Sequence, residues 1–131
     1  MGFLANKKKS KVFLVVFGVY LALLGWCILF KFALRLEEIP HLRGINLIPY
    51  AASVVVNGKV QISEIIENML VFLPFGLCIS AFYPDSEIQN RILLASGLSL
   101  FFEVTQYIFA IGASDITDVI DNTLGAVIGI L

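Results

Sequence analysis

Long apolar runs alternate with short polar stretches along this chain. The first run, Val12 to Phe30, carries no charge. At helical rise it reaches roughly 28 Å, close to the hydrocarbon thickness of a bilayer. The second, Asn68 to Tyr83, is closed by Pro84 and holds Pro74 in its middle. Pro74 frees the carbonyl of Leu70 and predicts a kink, in a turn that Gly76 loosens further. The third, Ile92 to Ile111, is interrupted by Glu103 and Gln106. The fourth opens at Asp115–Thr117 and runs to Leu131, with Gly125 and Gly129 spaced to form a small-residue packing groove. This pattern predicts an all-α integral membrane protein with four transmembrane helices and a longer outer loop between the first two.

The polar connections carry their own signals. Within residues 35–67, Asn46–Tyr50 is a short apolar patch containing a proline, suited to the membrane interface. Val54–Val60 has β-branched flanks around Asn57-Gly58 and predicts a type I′ hairpin. A helical segment from Ile62 to Glu67 leads into the second span. Residues 84–91 form a polar turn, and Gly112-Ala113-Ser114 a tight one that makes the third and fourth helices antiparallel neighbours. Ser96, Gly97 and Ser99 give the third helix a small-residue contact surface.

Composition sharpens the class. Of 131 residues, 59% are hydrophobic and 15% charged. A soluble domain averages about 45–50% and 25%. One membrane domain follows. A net charge of −1 gives no case for nucleic acid. Lys7, Lys8, Lys9 and Lys11 cluster before the first run. That start also suits a signal peptide, but the run exceeds the usual length and no small-residue cleavage site follows it cleanly. Residues 1–11 are therefore expected to be a basic cytoplasmic N-terminus, and 12–131 the membrane domain of a multi-pass cell-membrane protein. Lys31 and Arg35 can snorkel to the surface. Positive-inside orientation puts residues 35–67 and 112–115 outside. Cys27 and Cys78 lie in apolar runs as packing residues, and His41 is the sole histidine. No zinc site or Cys–His pair can be assembled, so neither metal nor cofactor is expected.

The candidate chemistry sits in the last third. Glu103, Gln106 and Tyr107 share one helix face by spacing, and so do Asp115, Asp118 and Asn122. A charge at the centre of a membrane helix costs about 2.5–3.5 kcal/mol on insertion scales. A structural account has Glu103 protonated and bonded to Asn122 or Thr123, with Asp115 and Asp118 capping the fourth helix. A functional account has these groups meet Asn68 in one cluster open to the outside. There they could bind a polar head group, work as acid and base, or cycle protons. An acidic cluster repels phosphate unless a divalent cation or Arg43 intervenes, but accepts an amine or hydroxyl-rich group. Asp121 lies about 60° round the helix from Asp118 and is expected to face lipid head groups.

Four stretches carry a family resemblance: NLIPY at 46–50, ENMLVFLPFG at 67–76, FEVTQ at 102–106 and DITDVIDNTLGAVIG at 115–129. In this order, over residues 45–131, they resemble the VanZ-like membrane proteins, a family that includes a protein associated with teicoplanin resistance in Gram-positive bacteria. The matching positions are Asn46, Pro49, Asn68, Pro74, Gly76, Glu103, Gln106, Asp115, Asp118, Asn122 and Gly125. Many relatives carry an arginine in the turn where Ala113 and Ser114 stand here. The resemblance implies lowered susceptibility to lipoglycopeptides through action on the envelope. The bilayer and either a lipid-linked cell-wall precursor or a lipoglycopeptide would be partners, and Asn46, Asn68, Glu103, Gln106, Asp115, Asp118 and Asn122 the ligand-binding candidates. A membrane enzyme or transporter acting on a lipid-linked precursor through Glu103 and Asp118 is the alternative.

Overall fold

The computed structural model describes residues 7–30, 33–39, 41, 43–51, 55–56 and 59–131. These residues form four helices: α1 (Lys7–Leu29), α2 (Ile62–Phe82), α3 (Ile88–Phe109) and α4 (Ile116–Ile130). Three stretches, Ser10–Leu29, Ile62–Phe82 and Ile88–Phe109, are long and apolar enough to cross a membrane. The helix of α2 absorbs the expected lead-in, and Pro74 lies within it. α1 starts at Lys7, inside the lysine cluster, and Lys31 lies outside the described residues.

The structure is mostly helical as expected, with short strands added. Strand β1 (Arg43–Asn46) follows α1, and strand β4 (Gly112–Asp115) joins α3 to α4. They pair in parallel, with Arg43 opposite Gly112 and Asn46 opposite Asp115. The segment expected to be a tight turn is therefore extended. The turn occurs earlier, where Ala110 adopts the left-handed conformation at φ 53. There Ala110 N–H bonds the Tyr107 carbonyl and Ile111 N–H the Gln106 carbonyl, closing α3 in a Schellman arrangement. The expected hairpin pairs as strands β2 (Val55–Val56) and β3 (Lys59–Val60), antiparallel. Its turn residues, Asn57 and Gly58, lie outside the described residues.

Helix α4 is the centre of the bundle and packs most extensively on α2. The two run in the same direction: Gly125 meets the backbone of Met69, and Gly129 that of Leu73. A Cβ on Gly125, Gly129 or Gly76 would collide with the carbonyl oxygen of Met69, Leu73 or Ala126 respectively. The groove read from Gly125 and Gly129 is thus an intramolecular seam. Backbones this close replace side-chain packing with direct backbone contact, the usual device of apolar helices in lipid. On the α3 side, Asn122 Nδ2 donates to Ser99 Oγ at 2.9 Å, and Thr123 Oγ1 to Ser96 Oγ at 3.3 Å. Gly97 has nothing within 4 Å of its Cβ position and faces away.

An aromatic and aliphatic core lies inside the bundle, built from Leu24, Ile28, Phe72, Phe75, Ile79, Ala95, Phe102 and Ala126. Phe72 and Phe102 meet edge to face with centroids 6.4 Å apart. Tyr20 ties α1 to α2 by donating to the Val71 carbonyl at 2.6 Å, one residue beyond the carbonyl that Pro74 leaves without its helical donor.

Candidate functional site

A layer of buried polar side chains sits above this core, where the strand pair meets the start of α4. Asp115 caps α4 as the spacing predicts: its Oδ1 accepts from Thr117 N–H at 2.8 Å. Such a cap contributes about 1 kcal/mol and satisfies an amide that the helix cannot. Asp118 lies in the same first turn, where the helix dipole favours a negative charge.

The remaining bonds join these groups to the rest of the fold. Glu103 Oε2 accepts from the backbone N–H of Asp115 at 2.8 Å. Asn122 and Thr123, the partners expected for Glu103, donate to Ser99 and Ser96 on α3. The α3–β4 connection is stitched a second time by Ser114 Oγ, which donates to the Glu103 carbonyl at 2.5 Å. Asn46 Nδ2 donates to Asp115 Oδ2 at 3.1 Å and to the Ile48 carbonyl at 3.0 Å. Asn68 Nδ2 reaches Asp118 Oδ1 at 3.0 Å. Asn46, Glu103 and Asp115 thus form one connected group, and Asn68 with Asp118 a second beside it.

Gln106 belongs elsewhere. Its Nε2 donates to the carbonyls of Ile28 and Leu29 at 2.8 and 3.2 Å, capping the C-terminus of α1. It shares a buried face with Glu103 as the spacing indicates, yet serves helix packing. Tyr107, expected on that face, is partly exposed and lies under Arg43, whose Cζ is 5.2 Å from the ring centroid. Arg43 also donates to the Tyr107 and Ile108 carbonyls at 2.9 and 3.0 Å, completing the end of α3. Its charge complements the helix dipole there.

Asp121 departs most from expectation. It is completely buried, with Oδ1 accepting from Tyr50 Oη at 2.7 Å. Its Oδ2 has no hydrogen-bond partner among the described residues. Tyr50 also donates its backbone N–H to Thr117 Oγ1 at 2.8 Å, and holds a left-handed φ of 56. That conformation is costly for a bulky side chain and persists only where surroundings enforce it. The hydrogen bond to Asp121, aided by burial, pushes the Tyr50 phenol up to about 12. Reading the helix as having one polar face missed Asp121, because the loop at Tyr50 covers a second face of α4. Tyr50 itself was visible only as part of the NLIPY stretch.

Beside the connected group, a cavity of about 210 Å³ opens between α3 and α4. Its lining is almost wholly apolar and includes Leu100, Val104 and Val119, with Glu103, Asp115 and Asn46 also bordering it. Among the described residues, no group of three His, Cys, Asp or Glu side chains could hold a metal ion.

The VanZ/LLP1 family model matches residues 17–131. Protein VanZ of Enterococcus faecium is 38% identical over 115 residues, covering 86% of this chain and 68% of that protein. No solved structure matches.

Proposed function

The chain belongs to the VanZ/LLP1 family, and from that membership we propose that it lowers susceptibility to lipoglycopeptides such as teicoplanin, through a polar site facing the outer leaflet. Three helices suited to crossing a membrane make it a membrane protein. In this reading α4 is a fourth, shorter crossing, and the N-terminal lysines lie in the cytoplasm. The strand pair and the polar layer then stand at the outer surface, within reach of a lipoglycopeptide or a lipid-linked wall precursor.

The observation that supports the reading is the connected group of Glu103 and Asp115, both buried, and the half-buried Asn46, beside a largely apolar cavity that all three line. Purely structural glue needs no cavity beside it. Asn68, Asp118 and Asn122 extend the polar layer along α4, and Gln106 supports it by fixing α1 to α3. The alternative is an enzyme or transporter working through Glu103 and Asp118, which accept from the Asp115 backbone and the Asn68 amide respectively.

The test is expression in a susceptible Gram-positive host, with inhibitory concentrations of teicoplanin and vancomycin measured side by side. Tolerance should rise more for teicoplanin. Asp118→Ala and Asn122→Ala should abolish it while the protein stays in the membrane. Equal protection against both drugs, or full protection by those variants, overturns the reading.

A further inference from the structure

We propose that the groove between α1, α2 and α3, at the lysine-bearing end of the bundle, holds an acyl chain of an anionic phospholipid, with the phosphate among the basic residues at that end. The inference is independent of the polar layer, which occupies the opposite end.

The groove follows from how α1 leans on the bundle. Near the strand end α1 and α3 touch: a Cβ on Gly25 would lie 3.8 Å from the Phe102 ring, and Gln106 caps the last turn of α1. Toward the other end they part. Gly97 of α3 has nothing within 4 Å of its Cβ position, and a groove of about 740 Å³ opens beside it. Leu14, Phe17 and Leu21 of α1 line one side, Leu94 and Leu98 of α3 the other, and the buried Phe75 of α2 lies between. All three helices are long and apolar enough to cross a membrane, so the groove opens onto acyl chains. From Asn90 to Leu98 it runs roughly 12 Å by helical rise, close to the roughly 15 Å of hydrocarbon in one leaflet. Left empty, its walls would lose dispersion contacts that an extended apolar chain supplies.

The head group follows from the end at which the groove stops. Phe13 and Phe17 both meet Phe82 edge to face, which brings the start of α1 beside the turn between α2 and α3. Lys7, Lys8, Lys9 and Lys11 therefore share that end with Arg91, against the acids Asp85 and Glu87, and the excess is positive. Lys11 is exposed. Arg91 donates to the Pro84 carbonyl and to the hydroxyls of Ser80 and Ser86, none of which neutralises it. Tyr83 and Asn90, the polar residues lining the groove, are exposed at the same end and can donate to phosphate or ester oxygens. Basic residues at a membrane surface favour anionic lipid, whereas a zwitterionic head brings a cation of its own. A second copy of the chain in the same orientation would set its lysines against these, so the occupant is lipid.

The experiment places the full chain in phosphatidylcholine nanodiscs with a trace of phosphatidylglycerol or phosphatidylcholine, each carrying the same diazirine acyl chain. After photolysis, adducts should map to Leu14, Phe17, Leu21 or Leu94, and phosphatidylglycerol should label these positions roughly fivefold more than phosphatidylcholine. Added salt should narrow that gap. Gly97→Phe, which fills the groove from α3, should remove the excess and leave labelling of Val15 and Val19, on the opposite face of α1, unchanged. Leu94→Trp should act in the same way if the phenylalanine variant folds poorly. Replacing Lys7, Lys8, Lys9 and Lys11 together by Gln should bring the two probes level. Equal labelling by the two probes in the unsubstituted protein overturns the proposal, and so does undiminished labelling of a folded groove variant. Efficient disulfide formation between copies through Leu94→Cys, in a Cys27→Ala/Cys78→Ala background, would put a second protomer in the groove and overturn it as well.

Discussion

Asn46 and Asp115 face each other across the parallel strand pair, and the Asn46 amide donates to the Asp115 carboxylate over 3.1 Å. The contact joins a loop residue to the cap of α4, far apart in sequence. It closes the strand end of the bundle, and it also orients the carboxylate that lines the cavity. A hydrogen bond to a charged group contributes about 1.5–3 kcal/mol, and partial exposure of Asn46 puts this one toward the lower end. Asn46→Ala and Asp115→Ala should each destabilise the protein in mixed-micelle unfolding. Their double mutant should be less destabilised than the sum, by about 1 kcal/mol of coupling. Strict additivity would show that the bond contributes nothing.

The glycine seam gives a contrast within one residue type. Gly125→Ala and Gly129→Ala place a Cβ into the carbonyl oxygens of Met69 and Leu73. Neither helix backbone can yield without separating α2 from α4. The expected loss is at least the roughly 1–3 kcal/mol of an overpacked core. Gly97→Ala, whose Cβ meets nothing within 4 Å, should be neutral or stabilising, by up to about 1 kcal/mol from helix propensity. The same unfolding assay reads all three, and equal effects would contradict the seam.

How much of this was legible in the sequence depends on the range of the interaction. Long apolar runs marked α1, α2 and α3, and the Gly125–Gly129 spacing marked the seam, because local pattern suffices for both. Asp115 as cap followed from its place before a helix. The β1–β4 pair did not, since four-residue segments that pair in parallel across the chain leave no local pattern. Gln106 and Glu103 share a face, yet one meets α1 and the other β4; spacing gives a face without naming the neighbour. Asp121 was misplaced because α4 is covered on more than one side.

Tyr50 and Asp121 make a pH-sensitive pair. The phenol is pushed from its ordinary value of 10.0 up to about 12 by its bond to Asp121. A folded-state value above the unfolded one means the neutral phenol is favoured by folding. Its contribution is complete below pH 10 and disappears as pH rises through about 12. Stability of the unsubstituted protein should therefore fall between those values by an increment that Tyr50→Phe lacks. Asp121→Ala should cost stability at neutral pH as well, because Tyr50 then keeps its left-handed backbone with one fewer tie to α4. Identical alkaline profiles for the phenylalanine variant and its parent would remove the pair from the account.

Ala110 tests the end of α3 from the opposite direction. It occupies the left-handed position of the Schellman closure, where glycine is usual. An L-residue there carries about 1–2 kcal/mol of steric cost. Ala110→Gly should relieve part of it against the greater chain entropy of glycine, for a net gain of about 0.5 kcal/mol. A loss of stability would mean that the methyl group makes a packing contribution larger than the strain.

Topology is the widest expectation, and α4 is its decisive element. α4 holds 15 residues, roughly 22 Å by helical rise, so its length alone does not make it a crossing. Its neighbours support the expectation that it crosses. It begins beside the strand pair, where Asp118 meets Asn68, and ends beside Ser80, whose hydroxyl donates to the Ile130 carbonyl at 3.3 Å. Ser80 lies at the far end of α2, next to the turn that leads into α3. Leu131 therefore shares an end of the bundle with Glu87, and Leu47 occupies the other. Single cysteines at these three exposed positions, in a Cys27→Ala/Cys78→Ala background, can be probed with an impermeant thiol reagent. Ser114 also lies at the strand end but is too buried to serve as a reporter. In intact cells the reagent should reach position 47 alone, and positions 87 and 131 only after permeabilisation. Labelling of 87 and 131 with 47 protected would invert the orientation and put the polar layer in the cytoplasm. Labelling of 47 and 131 together would show that α4 does not cross.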